Sequence, residues 1–201
     1  MRVFVVGATG VYGRALVPRL VARGDTVVAF ARSQERAAPI AGPQVEVIEG
    51  DLLKSSPEHL REAVEGCDAV AHLATALRPD STGPDGSNTN TALRIDGTRR
   101  LLDAVLAAGV PRYLQQSIVM AYVDGGDHWL DESTPFDQSE ARAGMSQPVV
   151  AMEQMVRDLD PSEVAWTILR GGAFVGPDTF QDDAVRRLRE GMLRVPGDGR
   201  N

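Results

Sequence analysis

Seven residues near the amino terminus, Gly7-Ala8-Thr9-Gly10-Val11-Tyr12-Gly13, carry the first sign of chemistry. They follow a short apolar run, Arg2–Val6, and open a helical pattern, so the glycines sit where a strand turns into a helix. Glycine there lets the backbone approach a pyrophosphate, and a helix N-terminus offers N–H donors and a favourable dipole. Glycine makes up 20 of the 201 residues, so three at this spacing arise by chance in roughly one such chain in five. The spacing is weak alone, and the strand-to-helix context is what points to a dinucleotide. A Walker-type phosphate loop is excluded, because no Gly-Lys-Ser/Thr follows. Gly7, Thr9, Gly10, Val11, Tyr12 and Gly13 are therefore the candidate phosphate contacts.

The second apolar run ends in Phe30-Ala31-Arg32-Ser33. An NAD site usually places Asp or Glu about 20 residues past the glycines, for the ribose hydroxyls. Here Arg32 stands 32 − 13 = 19 residues past Gly13, with no carboxylate at that strand end. A planar, permanently charged guanidinium suits a 2′-phosphate, so NADP(H) is favoured over NAD(H). Ser33 and Arg36 could assist, and the competing reading is a solvated arginine at a strand end. Asp51, just past the third apolar run, is either a cofactor contact or the start of a turn.

These residues need a frame. Arg2–Val6, Thr26–Phe30, Val45–Glu49, Ala69–Leu73, Tyr113–Ser117 and Trp166–Arg170 read as short buried strands. Between them lie helical patterns: Val11–Arg23, containing Pro18 and stopped by Gly24; Pro57 to about Glu65, capped by Ser56; Thr91–Ala108; Gln147–Leu159; and Thr179–Leu193. Alternating strands and helices imply right-handed crossovers and an α/β, doubly wound parallel sheet of Rossmann type. Arg78–Asn90 and the acidic Val123–Arg142 follow strands at the ligand-binding edge and are candidate substrate walls, or plain surface loops. The expectation is one domain over residues 1–201.

Composition narrows the partners. With 21 Lys+Arg against 28 Asp+Glu the net charge is −7, which argues against nucleic acid or an anionic membrane surface. No run approaches the ~18 apolar residues of a membrane span. The amino-terminal apolar run ends at Gly7, too short for a signal peptide. Cys67 is alone, so there is no intrachain disulfide framework, and it is expected to pack as a small hydrophobe. The acidic stretch around His128 lacks metal-ligand spacing, and no metal is expected. His128 and Trp129 read as a solvated loop and His72 as a packed histidine. A cytoplasmic protein with a small-molecule substrate or a regulatory protein partner, and a homodimer, is the resulting expectation.

With these residues placed, the whole chain resembles the extended or atypical branch of the short-chain dehydrogenase/reductase superfamily, near the NAD-dependent epimerase/dehydratases. Gly50-Asp51-Leu52 is similar to the family's adenine-contacting aspartate segment, and Ala71-His72-Leu73-Ala74-Thr75 to the cofactor-lining end of the fourth strand. Asp96-Gly97-Thr98-Arg99-Arg100-Leu101-Leu102 resembles the long helix, with Ile95 where an Asn is frequent. Leu169-Arg170-Gly171-Gly172-Ala173-Phe174-Val175-Gly176-Pro177 resembles the nicotinamide-side turn, with Gly171 in place of its usual Pro. The resemblance thus implies Leu52, Ala74, Thr75, Ala173 and Phe174 as further cofactor contacts.

The same resemblance exposes a gap. Family chemistry rests on Tyr-x-x-x-Lys, whose spacing puts both side chains on one helix face, with a Ser or Thr at the end of strand five. Ser117 matches the hydroxyl, which would bond the substrate oxygen. Glu153 fixes the register and puts Met145 at the tyrosine position and Val149 at the lysine position, with Pro148 between them at the expected helix start. Lys54 is the only lysine, and none of Tyr12, Tyr113 and Tyr122 pairs with it at that spacing. Tyr122 lies soon after Ser117 and is the candidate to reach the nicotinamide side, against a packed structural role. Two functions stay open: hydride transfer on a small carbonyl or nucleotide sugar, or a non-catalytic dinucleotide sensor. Val195–Asn201 resembles the point where the family passes into a substrate lobe, which implies that 178–201 starts a truncated substrate-binding portion and that the chain is either a fragment or lacks most of that lobe.

Overall fold

A computed structural model describes residues 1–76, 88–176 and 179–192, and falls into two compact units, Met1–Arg170 and Gly171–Asn201. The strands are β1 (Arg2–Val6), β2 (Thr26–Ala31), β3 (Val45–Glu49), β4 (Ala69–His72), β5 (Arg112–Ile118) and β6 (Ala165–Gly171). They form one sheet in the order β3-β2-β1-β4-β5-β6, with β1 paired in parallel to both β2 and β4. This is the Rossmann-type arrangement expected, and the reversal of strand order falls between β1 and β4, where such sheets open a ligand crevice.

Alternation along β1 explains why that strand is apolar from Val3 to Val6. Phe4 and Val6 join one core cluster with Leu60, Leu101, Val105 and Val156, while Val3 and Val5 join a second with Val17, Leu20 and Leu73. Each face is covered by helices, so neither parity of the strand tolerates a polar residue. The edge strand β3, by contrast, carries Glu46 and Glu49. Cys67 is buried in the first cluster, as expected of a small hydrophobe, and burial pushes its thiol up.

The helices are α1 (Val11–Ala22), α2 (Gln34–Ala37), α3 (Pro57–Val64), α4 (Thr89–Ala92), α5 (Thr98–Ala108), α6 (Ala143–Arg157) and α7 (Phe180–Arg189). A π-helical turn, Leu93–Gly97, joins α4 to α5. Local chemistry sets several ends. Ser56 Oγ accepts from His59 N at 3.1 Å with Pro57 in the first turn, and α5 stops at left-handed Gly109, φ 66°. α6 departs from expectation: it starts at Ala143, and Pro148 lies inside it rather than at its start. Packing of the buried Pro148 and Val149 outweighs the proline's local cost. The short α2 was not legible at all. Of the expected loop Arg78–Asn90, residues 78–87 lie outside the described residues, and Asn88–Asn90 already start α4. No helix among the described residues is long and apolar enough to cross a membrane.

Candidate functional site

The glycine turn is built by close backbone packing. Gly7 has φ 85°, and a Cβ there would lie 2.6 Å from Ala74 N. A Cβ on Gly13 would lie 2.3 Å from the Gly7 carbonyl oxygen. The turn is therefore pressed against the segment that leaves β4, where Gly7 and Ala74 meet. Gly10 caps α1 without a side-chain bond, and the first turn of α1 holds no acidic residue. That leaves the positive end of the helix dipole without an internal counter-charge, which suits a pyrophosphate. Thr9 and Tyr12 are half-buried and Val11 exposed beside the same turn.

Arg32 directly follows β2 and is exposed, with Arg36 exposed one helical turn on. Ser33 caps α2, its Oγ accepting from Arg36 N at 3.3 Å. A carboxylate does stand one strand away: Glu49, opposite Ala31 in register, is occupied by Gln34 N at 2.8 Å. Asp51 stands just past β3 and makes the turn contact, its Oδ1 accepting from Leu53 N at 2.9 Å. Leu52 is a core residue, 4% exposed, so only its backbone is placed for contact. Thr75 is exposed beyond β4. Ala173 and Phe174 follow β6 in the second unit.

The carboxyl ends of β5 and β6 hold a different construction. Ser117 Oγ, buried, donates to Glu153 Oε1 at 2.6 Å. Arg170 grips the same carboxylate with two bonds, Nε to Oε1 at 3.0 Å and Nη2 to Oε2 at 2.7 Å. Its remaining Nη1 donates to Tyr122 Oη at 2.8 Å, and the guanidinium lies 4.3 Å from the Phe136 ring centre. Arg157 adds a longer contact, Nη2 to Oε2 at 3.3 Å. Burial pushes the Glu153 carboxyl up, but the bonds from Arg170 and Ser117 outweigh it and hold the group below its ordinary value. Glu153 in turn raises Arg170 further.

Ser117 and Tyr122 are thus brought into one network, through Glu153 and Arg170. Sequence reading used Glu153 only as a register mark and gave Arg170 no role, since nothing local couples a helix carboxylate to a strand-end arginine. The network also changes what Ser117 can do. Its proton is committed to Glu153, so donation to a substrate oxygen requires breaking a charge-assisted bond.

The two positions that the resemblance assigns to the dyad both lie in α6. Met145 is half-buried in the first turn of α6, and Val149 is fully buried in an apolar cluster with Ala121 and Met152, flanked by Ile118 and Phe136. His72 is buried with both ring nitrogens unpartnered, and burial pushes it down to about 4, so it is neutral near pH 7. His128 and Trp129 are exposed, as a solvated loop requires. The loop between Ala121 and Asp137 is closed by Val123 N donating to Pro135 O at 3.2 Å and Asp137 N to Ala121 O at 2.8 Å.

Comparisons with known proteins agree with this fold. A family model described as NAD(P)H-binding matches residues 7–191. A 3-diazoavenalumate denitrifying reductase from a Streptomyces species is 36% identical, over 99% of this chain and 66% of its own length. An uncharacterized sugar epimerase, YhfK, from Bacillus subtilis is 27% identical over 96% of this chain and 82% of its own. In fold, UDP-glucuronic acid 4-epimerase from Bacillus cereus, solved with UDP-glucuronic acid and NAD, superposes with TM-score 0.73 at 19% identity, covering 94% of this chain and 63% of that one. The chain spans about two thirds of the length of the reductase and of the solved epimerase.

Proposed function

The chain belongs to the NAD(P)H-binding family matched over residues 7–191, and from that premise we propose that it binds NADPH in preference to NADH and acts as a reductase domain on a small electrophilic acceptor. One observation carries the binding part: the glycine turn, shut against Ala74 by contacts that no side chain could survive. The bound dinucleotide supplies a hydride. The chain's own residues do the rest. The Gly7–Gly13 turn and the start of α1 take the pyrophosphate. In this reading Asp51 takes the adenosine end and Arg32 the 2′-phosphate.

Reduction is favoured over epimerisation because the denitrifying reductase is the more similar of the two relatives, at 36% against 27%. Its named substrate is a diazo compound, so the acceptor class in this reading includes diazo as well as carbonyl compounds. On the acceptor side Ser117 and Tyr122 are held by Glu153 and Arg170, and neither Met145 nor Val149 can move a proton. The protein's contribution there is orientation, with any proton drawn from solvent. That same pair of residues favours a second reading, a dinucleotide sensor that performs no chemistry.

The test is calorimetric titration with NADPH and NADH. Tighter NADPH binding supports the reading, and equal affinities overturn the NADP assignment. Absence of binding to either overturns the whole. A panel of ketones, aldehydes, an arenediazonium salt and nucleotide sugars, followed at the nicotinamide absorbance, then separates reductase from sensor.

A further inference from the structure

Arg94 differs from the other arginines in its setting. It lies in the π-helical turn Leu93–Gly97 and is half-buried. Among the described residues it has no ion pair and no hydrogen bond, and the influence on its ionisation is desolvation alone, which lowers it. Other half-buried arginines are held: Arg100 donates to the Leu52 carbonyl at 2.9 Å, and Arg170 to Glu153. A guanidinium stays charged in any protein setting, so Arg94 keeps a positive charge that is only partly hydrated and that no partner among the described residues neutralises.

Its position can be fixed from its neighbours. Gly97 packs against the end of β4, since a Cβ there would lie 2.9 Å from Leu52 Cδ2 and 3.7 Å from Nε2 of His72, the last residue of that strand. The crossover helix runs antiparallel to the strands it joins. Arg94, three residues before Gly97, therefore stands beyond the carboxyl edge of the sheet, where ligands of such sheets sit. Asn90 Oδ1 accepts from Ala76 N at 3.0 Å and ties this helix start to the segment leaving β4. The π-helical turn packs on α6, the helix that carries Met145 and Val149. An extra residue in one helical turn re-aims a side chain and recurs at functional sites.

We propose that Arg94 is the oxyanion-recognition residue of the acceptor site, its guanidinium on the π-helical turn binding a carboxylate or a diphosphate of the acceptor. This deepens the reductase reading and rests on it. A planar fork of donors matches either oxyanion with two parallel bonds. The cost of keeping the cation half-desolvated is offset only when the anion arrives, which gives discrimination against neutral analogues. It also restores a positive charge to a region where Val149 has replaced the family's lysine and Arg170 is neutralised by Glu153.

The experiment titrates the full chain, with NADP⁺ present, with cinnamate and its neutral twin cinnamamide, and with UDP and uridine. At least tenfold tighter binding of one charged member is expected, and which pair responds tells carboxylate from diphosphate. Arg94→Gln should abolish that difference and Arg94→Lys keep part of it. Without any probe, Arg94→Gln should melt about 2–4 °C higher than the parent, because an uncompensated charge is removed. Failure of both pairs to discriminate, discrimination that survives Arg94→Gln, or a lower melting temperature overturns the proposal. NADPH affinity is measured on the same samples and should change less than twofold. A parent protein that binds no NADPH defeats the dinucleotide reading instead, while loss of NADPH binding in Arg94→Gln alone assigns the guanidinium to the dinucleotide and defeats this one.

Discussion

Two ends of the same sheet handle their chemistry differently. Around β1, α1 and β2 the candidate site is backbone: Gly7 and Gly13 contribute by what they lack, and their neighbours approach to distances no Cβ would permit. Around β5, α6 and β6 it is side chain: Ser117, Glu153, Arg170 and Tyr122 satisfy one another, and the two positions that should transfer protons are Met145 and Val149. A backbone site is fixed by the fold itself, so it persists for as long as the chain folds this way. A side-chain site can lose its reactive groups and keep its scaffold. The contrast makes dinucleotide binding the firmer property of this protein and the identity of its chemistry the looser one.

The sharpest way to break the contrast is Gly13→Val. A Cβ there meets the Gly7 carbonyl oxygen at 2.3 Å, a backbone atom that has nowhere to go. Dinucleotide binding should be abolished in calorimetry, with circular dichroism alongside to register any loss of helix. Unchanged NADPH affinity would remove the turn from the site.

Next in size is the other region's charge cluster. Glu153→Ala leaves Arg170, only 12% exposed, without its carboxylate, and breaking a buried pair from one side typically costs about 3–5 kcal/mol. Urea denaturation should show that loss while NADPH affinity stays near the parent value. Equal damage to both would mean that the two regions are one site. Arg170→Met with Glu153→Leu should recover much of the stability, since an apolar pair of similar volume avoids the desolvation cost.

These two regions were unequally legible in the sequence. All six strands were placed within about a residue at each end, and in β1 and β2 burial on both faces writes itself as an unbroken apolar run. The glycine turn was legible for a related reason, since only glycine fits and only a strand-to-helix junction needs it. The Glu153–Arg170 clamp was not legible. Its members are 17 residues apart on different elements, and either alone reads as a surface charge. The start of α6 was missed because Pro148 is a local stop signal, and tertiary packing of Val149 and Met152 overrides it. Arg94 was hidden inside an apparently regular helix, where no propensity marks a π-helical turn.

pH separates contributions from the two regions by window. His72 is held down at about 4 by burial, against an ordinary value of 6.5. The unfolded chain therefore binds more protons between those values, and stability is full above pH 6.5 and falls toward pH 4, by up to about 3 kcal/mol. His72→Leu should flatten that limb of the curve. Glu153 acts lower. Its depressed value contributes stability that is present above its ordinary 4.5 and is lost as pH falls through the folded value. A Glu153→Gln variant, already less stable, should lose its remaining stability less steeply below pH 4.5. Parallel curves for His72→Leu and the parent would show that the ring finds water or a partner in solution.

Arg32→Ala sharpens the first region. Removing a charge-assisted phosphate contact costs about 1.5–3 kcal/mol, so NADPH affinity should fall roughly ten- to a hundredfold with NADH nearly unmoved. A fall in both together would make Arg32 a general anchor and not a discriminator of the 2′-phosphate.

The smallest expected effect is Tyr122→Phe, and it decides what the second region is for. The hydroxyl takes one bond from Arg170, which can still donate to the Glu132 carbonyl at 3.3 Å. The ring keeps its place beside Phe136, centroids 5.5 Å apart. Loss of that one bond should cost about 1 kcal/mol, read as a melting temperature about 2–4 °C lower. Dinucleotide affinity should not move. Turnover on whichever acceptor proves active should fall less than tenfold, because the phenol is a strut for the Arg170 guanidinium and not the proton donor. A positioned acid usually contributes about a hundred- to ten-thousandfold. A loss of that size with NADPH binding intact would make Tyr122 the acid that stands in for the missing dyad. It would also turn the side-chain region from a retained scaffold into a working site with a relocated phenol.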